Sequence, residues 1–432
     1  MGALKYPASI DWEVTSFCNH NCIHCYNCWR SEIDKNKDIT FNKNTTTDYY
    51  NNIARKIVES NPVSVIITGG EPLSVFWKIE SAINYLLVNG IYVSMNTNLT
   101  LINDEIAKKI KEFGIHIFTS IPSANKENCD KITGKTNSFK AIDAGIRMCL
   151  KYDIPVSTNM VLTKINENDM SITAEYIKNL GINYFCCTKA AFPANAREEL
   201  KKEILSYSDF NNDLSKLISL GAQMKMKVDS AWAYSLCGLC GEQISVFGFK
   251  RRCGAGRFNF AITCNGDIKA CNVDTIIYGN ILNNSMSEAI DKMTDWQTNT
   301  YLPNECKDCK SLYLCGGGCR LEAQNTFGDK CHLDSTANIN NKDVFIESPS
   351  ITKFDYKSKY KLKNDVKIIE ENTCFRMSRK SLYEFISKEC KDFFMKNKEF
   401  TFYSFKKELD LHDDLAKREF AEFIDKKFID TI

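Results

Sequence analysis

No apolar run in this 432-residue chain approaches the roughly 20 residues that a membrane-spanning helix requires. Its first residues, Met1-Gly2-Ala3-Leu4-Lys5-Tyr6-Pro7, contain no apolar h-region of a secretory signal. A surplus of one charge is missing too: 56 Lys and Arg, interspersed among 54 Asp and Glu, leave a net charge of +2. Neither a nucleic-acid footprint nor a membrane-surface patch is therefore expected. Internal repeats and low-complexity tracts are also lacking. What is left is a globular composition, 44% hydrophobic, with enough length for two or three domains and a large core. The expectation is a cytoplasmic protein with no membrane or nucleic-acid partner.

Cysteine is what the chain has in excess, with 20 residues. In a short secreted chain they would form a disulfide framework, but grouped thiols in a reducing compartment are better explained by iron or zinc. The first group is Cys18-x3-Cys22-x2-Cys25, followed by Tyr26. Three thiolates hold three irons of a 4Fe-4S cube, and the fourth iron keeps an open position for a substrate or cosubstrate. His20 and His24 inside the loop are read as orienting or solvent-facing, and Cys28 as an extra packed or exposed thiol.

Between about residues 8 and 192, apolar runs suited to buried parallel strands alternate with helical periodicity. Strands are expected over 10–16, 63–68, 92–96, 115–120, 156–161 and 184–188, and helices over 48–59, 77–88, 103–113, 140–152 and 170–180. Ligands of such sheets sit on the loops at the carboxyl ends of the strands. Four such loops would converge: the three-cysteine loop, Gly69-Gly70-Glu71-Pro72, Thr97-Asn98, and Ser120-Ile121-Pro122-Ser123. Glycine lets backbone approach a ligand closely, and the Glu71 carboxylate can receive an ammonium group. From about 230 the texture becomes short strand-like pieces separated by Gly, Asn and Cys, ending near Asp334. A linker, 335–343, follows. Over 345–432 a strand at 366–369 and helices over 380–396, 404–409 and 415–428 are expected, a small, mainly helical module resembling a winged helix. Its 19 Lys and Arg against 17 Asp and Glu argue against DNA as ligand. Its phenylalanines, Phe385 to Phe428, read as a core.

The three-cysteine loop and the Gly69-Gly70-Glu71-Pro72 turn resemble the radical S-adenosylmethionine superfamily. Cys253-x12-Gly266-x4-Cys271, then Cys306-x2-Cys309-x5-Cys315-x3-Cys319, then Cys331, resembles the SPASM domain found on many peptide-modifying members. The resemblance covers about residues 8–335. It implies a partial (β/α)6 TIM barrel over 8–229, a SPASM auxiliary-cluster domain over 230–335 and a separate C-terminal α/β module over 345–432. In the family, the open iron is chelated by S-adenosylmethionine, and one-electron reduction releases methionine and a 5'-deoxyadenosyl radical. Carried over by position, Gly69, Gly70, Glu71, Asn98 and Ser120 would contact the cosubstrate. Cys306, Cys309, Cys315 and Cys331 would enclose a distal 4Fe-4S cluster, and Cys253, Cys271 and Cys319 a nearer one. The nearer cluster would take Cys237 or Cys240 as fourth ligand, or keep an open site, with Cys264 pointing away. Three 4Fe-4S clusters in all imply net oxidation, with the auxiliary pair accepting an electron, and a flavodoxin or ferredoxin as donor.

Sulfatase-maturing members carry an Asp directly after the second cysteine of the nearer cluster. Here that position is Asn272, which cannot act as a carboxylate base, and Asp274 is a candidate substitute that reads more simply as a surface carboxylate. The other large branch crosslinks ribosomal precursor peptides through thioether or carbon-carbon bonds, often with an element that grips the leader peptide by strand addition. That is the preferred reading, with the C-terminal module as leader binder. The rival of another class is a non-catalytic iron-sulfur or zinc scaffold. Which residue serves as catalytic base is not legible.

Overall fold

The computed structural model describes residues 5–26, 44–194, 196–248, 252–342, 344, 353–372 and 374–432. Cys28, the end of the linker and the start of the C-terminal module at 345 lie outside the described residues.

Six parallel strands form the centre: β1 (Ser9–Thr15), β2 (Ser64–Gly69), β3 (Tyr92–Thr97), β4 (His116–Ser120), β5 (Val156–Leu162) and β6 (Tyr184–Lys189). Helices Thr47–Glu59, Phe76–Val88, Asp104–Phe113, Ser138–Lys151 and Met170–Asn179 separate them, each within two residues of its expected start and end. An additional helix, Lys126–Thr133, escaped the periodicity because it buries only Cys129, Ile132 and Thr133. Alternation on β1 decides its orientation. Ile10, Trp12 and Val14 are fully buried under the helices, where the Tyr50 hydroxyl donates to the Val14 carbonyl at 3.1 Å. Asp11 and Glu13 point to the opposite face.

The sheet does not stop at six strands. β7 (Lys227–Asp229) joins β6 in parallel, and β8 (Asn259–Ile262) joins the other side of β1, also in parallel. With β9 (Asp267–Lys269) and β10 (Gly279–Asn280) the order becomes β10-β9-β8-β1-β2-β3-β4-β5-β6-β7. The cysteine-rich region is thus a continuation of the barrel sheet. Gly266, at φ +84°, makes the turn between β8 and β9.

The C-terminal part has two three-stranded sheets. β11 (Lys359–Leu362), β12 (Lys367–Glu370), β13 (Phe375–Arg379), β14 (Leu382–Ile386), β15 (Phe400–Thr401) and β16 (Ile429–Thr431) are ordered β15-β11-β16 and β12-β13-β14. Helices Lys388–Lys396, Phe402–Glu408 and Asp413–Asp425 pack on them. The helix expected over 380–396 therefore begins only at Lys388. Lys380, at φ +53°, turns the chain into the β13–β14 hairpin, and Ser387 caps the helix by accepting from Cys390 N at 3.1 Å. Phe393, Phe394, Phe400, Phe402, Phe405, Phe420, Phe423 and Phe428 form the core, as expected, whereas Phe385 is only partly buried.

A buried latch ties this part to the base of the barrel. Arg376 donates to the carbonyls of Pro7 (2.7 Å) and Asn61 (2.9 Å), and pairs with Glu371 at 3.4 Å. Glu371 also accepts from Lys5 N at 2.8 Å. Removing one partner of a buried pair leaves the other charge uncompensated. Arg376→Ala is expected to cost about 3–5 kcal/mol in urea denaturation, and the double variant with Glu371→Ala less than the sum of the two single losses.

Candidate active site

A cavity of ≈ 410 Å³ opens at the carboxyl ends of the strands. Cys18, Cys22, Cys25, Gly69, Gly70, Glu71, Asn98 and Ser120 all line it, so every expected contact residue of the first site reaches one space. Thr68 from β2, Asn159 and Val161 from β5, Thr188 and Lys189 from β6, and Trp232 and Asn272 complete the wall.

The glycines are required by the backbone of the cysteine loop. Gly70 N donates to the Thr15 carbonyl at 2.6 Å and Glu71 N to the Phe17 carbonyl at 2.7 Å. A Cβ on Gly70 would lie 1.9 Å from the Phe17 oxygen, and one on Gly69, at φ +129°, 2.3 Å from the Thr15 oxygen. Any side chain there displaces the loop that carries Cys18.

Glu71 is buried and already accepts three protein hydrogen bonds, from Thr97 Oγ1 (2.5 Å), Asn98 N (2.8 Å) and Leu73 N (3.0 Å). Burial raises its pKa and these donors oppose the shift. The carboxylate therefore clamps the β2 exit to the β3 exit. Asn98 continues the chain of contacts: its Nδ2 donates to Asn19 Oδ1 at 2.9 Å and lies 3.8 Å from Cys18 Sγ, while its Oδ1 accepts from Thr100. The far side of the loop rests on helix Lys126–Thr133, where Asn21 N and Ile23 N donate to the carbonyls of Thr133 and Ile132. Arg197 donates to the Asn21 carbonyl at 3.0 Å. His20 is buried rather than solvent-facing, and His24 Nδ1 is buried without a partner among the described residues.

Among the described residues no three His, Cys, Asp or Glu groups close on a single metal ion. A cube asks for something wider, one thiolate at each of three irons. Three thiols on one loop, lining the same cavity as Glu71, Asn98 and Ser120, fit a 4Fe-4S cluster with a cosubstrate beside it.

Downstream, the thiols of Cys253, Cys271 and Cys319 lie within electrostatic reach of one another, and burial raises all three pKa values. Cys306, Cys309 and Cys315 form a second neighbourhood that also includes Cys237. Cys331 and Cys240 are exposed. Cys264 is buried, its carbonyl accepting from the Tyr49 hydroxyl at 2.8 Å. Asp274 is not a surface carboxylate: it is 1% exposed, its Oδ2 has no hydrogen-bond partner among the described residues, and its charge acts on Cys271. Lys189 and Glu322, both buried, pair at 3.5 Å and tie the β6 exit to the helix after Cys319.

Sequence reasoning passed over Asp11 and Glu13. Two carboxylates at i and i+2 in a strand otherwise buried on both faces were the available signal. Asp11 accepts from Asn272 Nδ2 at 2.7 Å, and burial pushes its carboxyl up to about 6. Glu13 is fully buried, neither carboxylate oxygen has a hydrogen-bond partner among the described residues, and burial outweighs the Lys269 charge to push it up to about 7. Thr188 and Lys189, at the exit of β6, were likewise missed although the carboxyl-end rule marks them, as was Asn159 in the middle of β5.

The profile of the Radical SAM superfamily matches residues 12–177, and that of the SPASM iron-sulfur cluster-binding domain matches residues 253–310. The chain is 25% identical over 342 residues, 75% of its own length and 94% of the relative's, to the AdoMet-dependent heme synthase of Methanosarcina barkeri. Among solved structures it shares its fold with native anSMEcpe with bound AdoMet and Cp18Cys peptide. The TM-score is 0.59 at 18% identity, covering 76% of this chain and 93% of that one. It also shares it with Streptococcus suis SuiB bound to precursor peptide SuiA. There the TM-score is 0.60 at 16% identity, covering 78% and 76%. Among the described residues no helix is long and apolar enough to cross a membrane.

The raised carboxyl of Glu13 has a measurable consequence. Between its usual 4.5 and about 7 the native state keeps the proton while the unfolded chain releases it. Stability therefore falls as pH rises through this window. Glu13→Gln removes the titration, so urea midpoints of the variant should decline less between pH 5 and pH 7.5, the difference reaching about 3 kcal/mol.

Proposed function

This chain belongs to the radical SAM superfamily and carries a SPASM domain, and from that premise we propose that it is a peptide maturase that oxidatively crosslinks side chains of a ribosomal precursor peptide. The observation that carries the reading is a single cavity lined both by Cys18, Cys22 and Cys25 and by Asn272, next in sequence to Cys271. A substrate group held there lies between the start of a radical reaction and a route for removing electrons.

Cys18, Cys22 and Cys25 would hold the first 4Fe-4S cluster, and the thiols of residues 237–331 two auxiliary ones. When bound, these groups supply the electron that cleaves S-adenosylmethionine to methionine and a 5'-deoxyadenosyl radical, and an acceptor for the electron left after hydrogen abstraction. Gly69, Gly70, Glu71, Asn98 and Ser120 shape the cosubstrate wall. Glu71 does so by bracing two loops, since its acceptors are engaged by protein donors. Trp232 and Val161 present apolar surface, while Thr188, whose hydroxyl donates to Asn159 at 2.8 Å, and Lys189 present polar groups for orientation. A cavity of ≈ 410 Å³ sits low in the usual range for cosubstrate-sized ligands, so beside S-adenosylmethionine it favours a peptide side chain over a second large molecule.

Formylglycine formation is disfavoured, because Asn272 offers an amide that is spent on Asp11. A tetrapyrrole substrate is the second reading, supported by the heme synthase relative. Its product mass would separate it from a peptide.

The C-terminal part is suited to holding the rest of the precursor. A groove of ≈ 580 Å³ is lined by Phe385, Leu409, Leu411 and Leu415 and edged by Glu384, Glu389, Glu419 and Glu422, with Arg418 also in the lining and Lys426 paired to Glu384 and Glu422. β14, at the edge of its sheet, flanks it and offers strand addition to a basic, apolar leader segment.

Anaerobically reconstituted protein with reductant and S-adenosylmethionine is expected to release 5'-deoxyadenosine, and Cys18→Ala to abolish it. Equal release by both would end the enzyme reading, leaving the scaffold. Coexpression with short neighbouring reading frames, read by mass spectrometry, should show a peptide lighter by two hydrogens per crosslink. Reversing the groove's edge with Glu419→Lys and Glu422→Lys is expected to weaken precursor binding by roughly tenfold or more, about 1.4 kcal/mol, with iron content unchanged. Unaltered affinity would remove the leader-binding role.

A further inference from the structure

The family pattern assigns Cys331 to the site of Cys306, Cys309 and Cys315, yet the folded chain leaves Cys331 at the surface with its thiol turned to a backbone carbonyl. It is exposed, its thiol donates to the Thr300 carbonyl at 3.5 Å, and Arg320 pins the flanking carbonyls of Lys330 (3.0 Å) and His332 (2.8 Å). Lys330 Nζ lies over the rings of Trp296 and Tyr301, 5.0 and 4.6 Å from their centroids. This segment is held on three sides by contacts that do not involve the other thiols.

A different cysteine occupies the neighbourhood. The short turn Leu236–Gly238 is bolted to the cysteine loop: Leu236 N donates to Cys315 Sγ at 3.4 Å. Asp334 gathers the surrounding backbone, accepting from Ser235 Oγ (3.1 Å), Thr336 N (2.9 Å) and Cys319 N (2.8 Å). Ser235 N donates to Thr336 Oγ1 at 2.8 Å, and a Cβ on Gly238 would stand 1.9 Å from the Thr336 carbonyl, so the turn packs against residue 336 with no room for a side chain. Between these anchors Cys237 is half-buried, within electrostatic range of Cys315 and Cys309, and Cys306 in turn senses Cys315, Cys237 and Cys309. Cys237, Cys306, Cys309 and Cys315 are thus four thiols in one neighbourhood, with the Arg320 guanidinium in range of Cys306, and four is the number a 4Fe-4S cube takes.

We infer that Cys237 is the fourth thiolate of the iron-sulfur site formed by Cys306, Cys309 and Cys315, in place of Cys331. The inference rests on the reading that residues 237–331 hold iron-sulfur clusters. It leaves the site of Cys253, Cys271 and Cys319 with three thiols, and so with a fourth position filled by something other than Cys237.

Iodoacetamide labelling of the anaerobically reconstituted protein tests this without a variant. Cys331 and Cys240 should label, whereas Cys237 should stay protected until the iron is removed by chelation and then label. A second arm counts iron and sulfide, with Mössbauer spectra, in a Cys18→Ala, Cys22→Ala, Cys25→Ala background that reports only the auxiliary sites. Cys237→Ala should lose about four irons per chain and Cys331→Ala none of them. Labelling of Cys237 in the loaded protein, or loss of those irons from Cys331→Ala alone, would overturn the assignment. Zinc without sulfide in the same background would instead overturn the cluster reading itself.

Discussion

The structure depends on one close approach of two backbones. Where β1 and β2 leave the sheet, the amides of Gly70 and Glu71 donate to the carbonyls of Thr15 and Phe17, at a separation that leaves no room for a Cβ. This pairing continues the parallel ladder one step past the strands and fixes the start of the cysteine loop against the second turn. Glu71 then carries the constraint to β3 through Thr97 and Asn98, and Asn98 returns it to the loop through Asn19. A cluster held by three residues of an otherwise irregular loop needs such bracing, because nothing in the loop's own spacing makes it rigid.

The same strand organises the second set of thiols. β8 pairs with the free side of β1, so the cysteine-rich region starts from the barrel and shares its register. Asn272 reaches the cavity wall and contacts Asp11 on β1, while Lys189 and Glu322 close a second connection from β6. Barrel and cysteine domain are thus joined at two points around the space where chemistry takes place. The buried carboxylates of Asp11 and Glu13 lie under one of these junctions, which is why burial raises both.

Much of the fold was legible. The six central strands and the helices read from periodicity fell close to their observed limits, because each is long, strongly patterned and bounded by turn residues. The Lys126–Thr133 helix was not, having too few apolar positions for a period to show. The C-terminal hairpin was hidden for the opposite reason: Leu382 to Ile386 are compatible with either period, and the positive φ at Lys380 that turns the chain leaves no glycine as a marker. At the site, Cys18, Cys22, Cys25, Gly69, Gly70, Glu71, Asn98 and Ser120 reach one cavity as the carboxyl-end rule implies, whereas Asp11 and Glu13 were overlooked because charged residues in a buried strand contradict its pattern.

By itself the sequence determined the cysteine spacings, the glycine pair and the order of strands, because these are local: spacing, turn residues and apolar period are written within a few residues of one another. Only the tertiary structure decided which distant thiols meet. The spacing pattern pairs Cys331 with Cys306, Cys309 and Cys315, whereas in the folded chain the contacts of Asp334 and of Leu236 set the turn of Cys237 beside Cys315. Tertiary structure likewise gives Glu71 three protein donors, Thr97, Asn98 and Leu73, that its sequence position does not show.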